Sequence, residues 1–253
     1  MLAFERRQQI LDHVQKDKRV IITDLATTFG VSEETIRRDL KKLEKDGVLI
    51  RFHGGASTTA PVNEELPYHT RHQRHVAEKR YMATKLATLI GDGQIIFADS
   101  SSSVLEGVSE LIKQKRTGLS LITNSVPLLM ELRERPIQVF STGGELRGKS
   151  NSLVGPIAES TIGLYHGDVA LFGCKGLSMA QGVTESNEAE KQVKCHMVHQ
   201  VKKVILLADH TKFDQTAFVK LFEVDKVDCV ITDQAPSDDW LAFFEERSIE
   251  IMY

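Results

Sequence analysis

The sequence has few cysteines and no long apolar run, and both absences argue against a secreted or membrane-spanning protein. Cys174, Cys195 and Cys229 are three widely spaced thiols, and no paired-cysteine motif is present. Isolated thiols in odd number fit a reducing compartment better than a disulfide scaffold, so we expect a cytoplasmic protein. No apolar segment is long enough to cross a bilayer, and residues 1–7 indicate the start of a helix instead of a signal peptide.

The chain also lacks a strong excess of charge of either sign, with a formal net charge of −3. Residues 1–80 contain 15 Lys and Arg against 12 Asp and Glu, whereas the remaining residues contain 17 against 23. Mild acidity argues against non-specific coating of nucleic acid, but a basic module joined to an acidic body is compatible with one phosphate-binding face. The length of 253 residues predicts about two domains, each with a buried core.

Two short amphipathic helices joined by a turn are predicted near the N-terminus. In residues 22–29 the apolar side chains recur at helical spacing, Gly30 permits a sharp turn, and Ser32 can cap the next helix. Ile36 and Leu40 form the inward side of that second helix. Its outward positions are Glu33, Glu34, Thr35, Arg37, Arg38, Lys41, Lys42 and Lys45, of which five are basic. This pattern is typical of a helix-turn-helix, whose second helix enters the DNA major groove.

A short hairpin is predicted after this helix, because alternating residues 48–53 are followed by Gly54 and Gly55. The hairpin would form a wing, and an earlier helix with Ile10, Leu11 and Val14 would complete the core. We expect Ser32, Thr35 and Arg38 to contact base edges, and Arg37, Lys41, Lys42, Arg51 and His53 to complete the interface, mainly at phosphates. For any single Lys or Arg, a merely solvated position is the alternative.

A domain junction is predicted in residues 56–67, which are rich in Ser, Thr, Pro and Asn and poor in apolar side chains. We assign residues 1–57 to a winged helix-turn-helix domain, 58–75 to a linker, and 76–253 to a second domain. His69, His72 and His75 follow at three-residue intervals, a spacing that could serve a metal site. Basic neighbours such as Arg71 and Arg74 would oppose a cation, so we interpret the segment as a basic connecting helix.

The second domain alternates between helical and extended segments. Apolar strands are predicted at residues 94–98, 119–123, 137–140, 169–172, 203–208 and 229–232. Nearly continuous apolar strands with helices between them predict an α/β fold whose largely parallel sheet is covered on both faces.

Polar loops follow five of these strands in succession: residues 98–103, 123–125, 142–147, 173–176 and 209–213. Each loop alone is ordinary turn chemistry, since Ser, Gly, Asn and Asp dominate turns. Small ligands collect at the carboxyl ends of strands in such sheets, so the repetition predicts a pocket there. In the first loop, hydroxyls and free amide hydrogens at a helix start could point together at an anion.

Both regions resemble a known family. Arg6, Ile10, Val14 and the run from Ser32 to Leu40 are similar to the signature of DeoR-type bacterial transcription regulators, and residues 51–56 resemble their wing. The resemblance implies that Asp39 can hold a neighbouring arginine in an ion pair. The second region is similar to the effector domain of that family, whose sheet is similar to that of sugar-phosphate isomerases and coenzyme A transferases.

In that family these loops hold a phosphorylated sugar. The resemblance therefore implies an effector site at Asp99, Ser100, Ser102, Ser103, Asn124, Gly143, Gly144, Glu188 and Lys212. Two positions depart from the family pattern. Ser101 stands where glycine is common, which removes a backbone freedom useful for wrapping a phosphate. Lys175 stands where many relatives have an acidic residue, and it is either an added phosphate contact or a structural replacement.

The expected function is a transcriptional regulator that represses a carbohydrate-utilisation operon and leaves its operator when a phosphorylated sugar binds. The expected partners are operator DNA, a sugar phosphate and further copies of the chain in a dimer or tetramer, with no cofactor and no membrane. A sugar-phosphate isomerase-like enzyme is the alternative, with Asp99, Glu188, His210 and Lys212 as candidate acids and bases. No nucleophile–base pair or metal motif is recognisable, and a DNA module has no use in turnover. Cys195, His196 and His199 could form a metal sensor, but a buried cysteine with solvated histidines is the preferred interpretation.

Overall fold

The computed structural model divides the chain into two units, residues 1–74 and residues 75–253. The structure describes residues 3–17, 19–45, 49–52, 54–57 and 65–253. Of the linker predicted at residues 58–75, residues 58–64 lie outside the described residues, whereas Tyr68–Gln73 form a helix; the predicted domain boundaries stay a prediction.

The first unit is a winged helix-turn-helix. Its elements are α1 (Ala3–Asp17), β1 (Arg19–Ile21), α2 (Ile22–Phe29), α3 (Glu33–Lys45), β2 (Ile50–Phe52), β3 (Gly55–Ser57) and α4 (Tyr68–Gln73). The predicted hairpin of β2 and β3 is confirmed, and β1 extends it to an antiparallel sheet of order β1-β3-β2. β1 is too short for its pattern to be recognised in the sequence.

The core of this unit consists of the predicted inward stripes. Ile10 and Val14 of α1 are buried against Ile36 and Leu40 of α3. Gly30 ends α2 in the left-handed region at φ 63°, and its N–H donates to the carbonyls of the preceding turn. A side chain with a Cβ rarely adopts this conformation, which explains the glycine between the two helices.

A buried ion pair joins α1 to α3. Arg6 Nε lies 2.6 Å from Asp39 Oδ2, and Arg7 Nη1 lies 3.4 Å from Asp39 Oδ1. The expectation that Asp39 holds a neighbouring arginine is therefore wrong. Asp39 follows Ile36 by three residues and so shares the inward side of α3, where its carboxylate meets α1 instead of Arg37 or Arg38. The pair sets the direction in which α3 presents its outer face.

The second unit is a layered α/β domain. Its helices are α5 (Val76–Leu89), α6 (Ser102–Lys113), α7 (Val126–Leu132), α8 (Pro156–Ile162), α9 (Glu188–Val198) and α10 (Asp238–Glu246), with short 3₁₀ turns at His210–Lys212 and Val224–Lys226. Its strands are β4 (Ile95–Ala98), β5 (Ser120–Thr123), β6 (Gln138–Ser141), β7 (Glu145–Arg147), β8 (Ser152–Val154), β9 (Gly167–Gly173), β10 (Gly176–Ser178), β11 (Gly182–Glu185), β12 (Val201–Leu207), β13 (Val219–Phe222), β14 (Cys229–Ile231) and β15 (Glu250–Met252).

A parallel sheet of order β15-β14-β12-β9-β4-β5-β6 forms the centre of this unit. The six predicted strands are confirmed, and each belongs to this sheet. β15 at one edge was not predicted, and neither were the β10-β11-β13 sheet and the β7-β8 hairpin. These strands have only three or four residues each, and most of them carry glycine or charged residues, so in the sequence they look like loops.

Successive residues of the central strands point to opposite faces, and both faces are covered. Phe97 and Phe172 belong to one apolar cluster, whereas their chain neighbours Ile96 and Leu171 belong to the other. The order of the strands reverses between β4 and β9, because the chain proceeds from β4 to β5 and β6 on one side and then returns to β9 on the other. Polar groups at the carboxyl ends of β4 and β9 therefore line the crevice where open α/β sheets bind ligands.

Replacing Gly144 by alanine should destabilise the second unit. Gly144 has a φ of 108°, and a Cβ there would lie 2.5 Å from the carbonyl oxygen of Val154 in the facing strand. Strain of this kind costs about 1–3 kcal/mol, which thermal unfolding will show as a lowered Tm. Gly148→Ala is the matched control, because no atom lies within 4 Å of its added Cβ. Equal Tm values for the two variants would contradict this account.

Candidate DNA interface and effector site

The outer face of α3 is basic and accessible. Arg37, Arg38, Lys41 and Lys42 are exposed. Ser32 caps the helix as predicted: its Oγ accepts a hydrogen bond from the Thr35 amide at 3.3 Å and lies 2.9 Å from Thr35 Oγ1. The two hydroxyls thus stand together at the leading end of the helix.

The two arginines of the pair differ in their surroundings. Arg37 donates to Glu33 Oε2 at 2.7 Å, one helical turn earlier. The Arg38 side chain makes no hydrogen bond or ion pair with any other residue that the structure describes. Exposed pairs contribute about 0–1 kcal/mol, so Glu33 restrains Arg37 only weakly. Arg38 is the freer of the two to approach a base edge.

The wing supplies a further basic residue. Arg51 of β2 lies with Nη1 3.8 Å from Glu44 Oε2 of α3, which ties the strand to the end of the helix. The Arg19 guanidinium stacks over the Phe52 ring at 4.2 Å. His53, the remaining residue of the predicted interface, lies outside the described residues.

In the second unit Asp99 lies at the point where the strand order reverses. It directly follows β4 and is 0% exposed. Its Oδ1 accepts the amide hydrogen of Ser101 at 2.8 Å, and its Oδ2 accepts that of Gly173, the last residue of β9, at 3.0 Å. The carboxylate therefore joins the ends of the two strands that border the crevice.

Lys194 of α9 reaches the same point from outside the sheet. Its Nζ lies 2.9 Å from Asp99 Oδ2 and 2.6 Å from Glu185 Oε2, and it donates to the Gly173 carbonyl at 2.9 Å. Burial lowers the pKa of Lys194, but the carboxylates of Asp99 and Glu185 outweigh burial and raise this pKa above the ordinary lysine value. The ammonium group is therefore charged at physiological pH.

A second polar network lies beside the first. Glu190 Oε1 accepts a hydrogen bond from Ser152 Oγ at 2.8 Å and lies 3.6 Å from Arg147 Nη1. Ser152 Oγ is in turn 2.8 Å from Ser150 Oγ. These contacts tie the β7-β8 hairpin to α9.

Sequence reasoning missed Lys194, Glu185 and Glu190. A signal was available: the buried side of α9 consists of Glu190, Val193, Lys194 and Met197, at helical spacing. Charged residues are almost never fully buried unless they are paired. Two charges on an inward stripe therefore predict ion pairs, although the stripe does not name their partners.

The serine loop after β4 is largely buried. Ser100, Ser102 and Ser103 are 2%, 5% and 8% exposed, and Ser102 and Ser103 form the first turn of α6. Ser101 caps this helix through its Oγ, which accepts from the Val104 amide, and its φ is −75°. The backbone at Ser101 is outside the left-handed region. The expectation that this position needs the backbone freedom of glycine is therefore wrong.

Asn124 and the glycine pair follow the next two strands. Asn124 donates from Nδ2 to the Leu153 carbonyl at 3.1 Å, which fixes the orientation of the amide. Its Oδ1 is buried and has no hydrogen-bond partner among the described residues. Gly143 and Gly144 follow β6 with φ values of 63° and 108°. An unpaired buried acceptor such as Asn124 Oδ1 is costly and is suited to a hydroxyl donor.

Lys212 lies in the loop after β12, with Nζ 3.5 Å from Asp209 Oδ2. Burial raises the pKa of Asp209, but Lys212 and the hydrogen bond from Thr211 outweigh burial, so the pKa of Asp209 lies below the ordinary value.

Burial raises the pKa of Cys174, in the loop after β9, to about 12, and the thiol is neutral at physiological pH. Lys175 donates its amide hydrogen to the Thr184 carbonyl at 3.0 Å.

Glu188 differs from the other predicted effector residues. It begins α9 with its side chain 53% exposed, and Oε1 accepts from Lys191 and Gln192 of the same helix. No contact that the structure describes connects it to Asp99 or Lys194.

Cys195 and His196, which were considered for metal binding, have other partners. Cys195 donates to the Leu221 carbonyl, and His196 Nδ1 lies 2.8 Å from the Gln192 carbonyl oxygen. Within the described ranges, no group of three or more His, Cys, Asp or Glu side chains is placed to hold a metal ion.

The single connecting helix that was predicted around His75 is instead two helices, α4 and α5, with a break at Arg74 and His75. No helix in the described part of the chain is long and apolar enough to span a membrane.

Family models match both units. The model described as the DeoR-like helix-turn-helix domain matches residues 6–61, and the model described as the DeoR C-terminal sensor domain matches residues 74–234. Together they cover most of the chain.

Curated relatives align along nearly the whole chain. The chain is 34% identical to the transcriptional regulator GlpR of Haloferax volcanii, with 100% of this chain and 98% of that protein covered. It is 32% identical to the transcriptional repressor GlcR of Bacillus subtilis, with 100% and 96% covered. It is 27% identical to the glycerol-3-phosphate regulon repressor of Escherichia coli, with 99% of each covered.

Among solved structures, the ribose 5-phosphate isomerase A of Methanocaldococcus jannaschii is similar at 15% identity and a TM-score of 0.41, over 54% of each chain. This is a likeness of fold alone. The matches to regulators confirm the expectation of a regulator over an enzyme. One family has both a helix-turn-helix unit and an α/β sensor unit, as this chain does. The chain belongs to the DeoR family of helix-turn-helix transcriptional regulators.

Proposed function

We propose that this regulator represses a carbohydrate-utilisation operon and is released from its operator by a phosphorylated sugar. The observation that carries the proposal is the crevice between β4 and β9, where polar loops from successive strands meet in the same chain as an exposed basic helix. The names of two relatives, a repressor and a glycerol-3-phosphate regulon repressor, support repression and a phosphorylated effector.

The effector contacts divide by chemistry. The start of α6, with Ser102 and Ser103, suits the phosphate, because helix N-termini bind anions. Lys212 adds a positive charge for the phosphate, and Asn124 Oδ1 accepts a hydrogen bond from a sugar hydroxyl. We propose the effector site as Ser100, Ser102, Ser103, Asn124, Gly143, Gly144, Lys175, Glu188 and Lys212, with Asp99 in its wall.

Operator binding requires more than one copy of the chain. One recognition helix contacts too few base pairs to discriminate an operator within a genome, so we propose a dimer or tetramer that binds repeated half-sites. Release then follows from thermodynamic linkage. An effector that binds more tightly to a conformation in which the helix-turn-helix domains cannot reach their half-sites weakens operator binding, by as much as its affinities for the two conformations differ. A cytoplasmic location accompanies this role.

A titration tests the function as a whole. Duplex DNA from upstream of the protein's own gene cluster is bound in a gel-shift assay, and glycerol 3-phosphate, fructose 1-phosphate, fructose 6-phosphate, glucose 6-phosphate and the free sugars are added. One phosphorylated compound should release the DNA while its free sugar does not. Turnover of any of these compounds without release of DNA would favour the enzyme.

Arg38→Ala and Lys42→Ala should differ in their effects on DNA binding. Arg38 is free to contact bases, so its loss should reduce the preference for operator over scrambled DNA roughly tenfold to a hundredfold, as expected for one bidentate base contact. Lys42→Ala should weaken both complexes evenly and reduce the slope of log K against log salt by about 0.9. Fluorescence anisotropy at several salt concentrations measures both quantities. Equal changes in the two variants would contradict the division of contacts.

Lys212→Ala should blunt the effector response but leave DNA binding intact. The loss of one charge-assisted hydrogen bond to phosphate should raise the effector concentration needed for release roughly tenfold to a hundredfold. Lys202→Ala is the matched control, because Lys202 is 82% exposed at the start of β12 and pairs only with Asp168 among the described residues. An unchanged effector midpoint in Lys212→Ala would remove Lys212 from the site.

A further inference from the structure

We infer that Lys194 is a positioning residue of the effector crevice. Its ammonium group fixes the carboxyl ends of β4, β9 and β11 relative to one another, and Asp99 acts with it inside the wall instead of contacting the effector. The consequence for effector affinity rests on the proposed function, whereas the consequence for the strand ends does not.

The ammonium group has three oxygen partners inside the protein. Lys194 Nζ donates to Glu185 at the end of β11 and to the carbonyl of Gly173 at the end of β9, and it pairs with Asp99 after β4. Lys194 is 3% exposed. A lysine has three donors and no acceptor, and Lys194 Nζ already has three buried oxygens within 2.9 Å, so its buried position serves the protein interior and not a ligand.

Asp99 is equally committed. One carboxylate oxygen accepts a hydrogen bond from the Ser101 amide, and the other accepts one from the Gly173 amide and forms the ion pair with the ammonium group. With 0% of its surface exposed, Asp99 could reach a ligand only by breaking these bonds. Its role is to hold the serine loop against β9.

The loops attached to these three strand ends carry the proposed effector contacts. Ser100, Ser102 and Ser103 follow β4, Lys175 follows β9, and Glu188 follows β11. Held by one cation, the loops keep a fixed spacing before a ligand arrives. A site that is organised in advance binds more tightly, because less ordering remains for the binding step.

The charge of Lys194, and not only its volume, is required. The groups that face it are Asp99, Glu185 and Glu190, with the neutral Cys174 thiol nearby. Without the cation, Asp99 and Glu185 would form a buried like-charge pair, and one carboxyl would take up a proton. The pKa of that carboxyl in the folded state would then exceed its value in the unfolded state. The stability that a variant without the cation loses near pH 8 would therefore return as the pH falls through the folded-state pKa.

Lys194→Met tests the role, with Lys202→Met as the matched control. Hydrogen–deuterium exchange of the full chain at pH 8 should show the amides of Ser101 and Gly173 exchanging at least about tenfold faster in Lys194→Met, since breaking a buried pair is strongly destabilising. Exchange in β14 and in the control should stay as in the wild type. Unchanged exchange at these two amides, or an equal rise throughout the unit, would overturn the inference.

A milder variant decides the question if Lys194→Met does not fold. Glu185→Gln keeps the ammonium group and its contacts with Asp99 and Gly173, and removes one charge. Exchange at the Gly173 amide should then rise while that in β14 does not. No local rise would overturn the inference.

The pH dependence separates charge from packing. The Tm deficit of Lys194→Met relative to the wild type should shrink between pH 8 and pH 5.5, and the small deficit of Lys202→Met should not. If the deficit of Lys194→Met is the same at both values, the lysine acts only by filling space.

Calorimetric titration with glycerol 3-phosphate, fructose 1-phosphate and glucose 6-phosphate completes the test. For any of these that the wild type binds, Lys194→Met should raise the Kd about tenfold or more, and the number of sites should be unchanged. An unchanged Kd would overturn the positioning role. If the wild type binds none of the three, the proposed effector class fails, while the exchange experiment still decides the role of Lys194.

Discussion

The ion pair between Lys194 and Asp99 is the interaction on which the sensor unit depends. It lies where the order of the central strands reverses, and it joins the ends of β4 and β9 to α9. A parallel sheet leaves a crevice at this point, and a crevice is useful for binding only if its walls keep their spacing. Glu185 and the backbone of Gly173 complete the coordination of the ammonium group, so the buried charge is fully compensated. Loss of one partner would leave a charge unpaired inside the protein, which is far more costly than loss of a surface pair.

The first unit uses a buried pair in the same way. Arg6 and Asp39 fix α3 against α1, and this leaves the basic side of α3 to face outward. In each unit, a buried charge orients a binding element that it does not itself form: the basic side of α3 in the first unit and the strand-end loops in the second. The two units differ in net charge, as the sequence composition indicates, and this difference suits a nucleic-acid partner for one and a small anion for the other.

Much of the fold could be predicted because its signals are local. Continuous apolar runs such as those at Ile96 and Leu171 indicate buried strands, and Gly30 with Ser32 indicates the turn of the helix-turn-helix. Short strands such as β10 and β15 could not be predicted, since three residues carry too little pattern and depend on pairing with distant segments. The strand-end loops of the candidate site could be placed for the same local reasons. The partners of Lys194 could not be predicted, because they come from other parts of the chain and only the fold brings them together.

The central claim is that one chain couples operator binding to a phosphorylated effector, and coupling between two sites is reciprocal. The most direct measurement is the effector Kd of the full chain, determined by calorimetry with and without saturating operator DNA. The account predicts that operator DNA raises the effector Kd by the same factor by which the effector raises the operator Kd. An effector Kd that operator DNA leaves unchanged would contradict it.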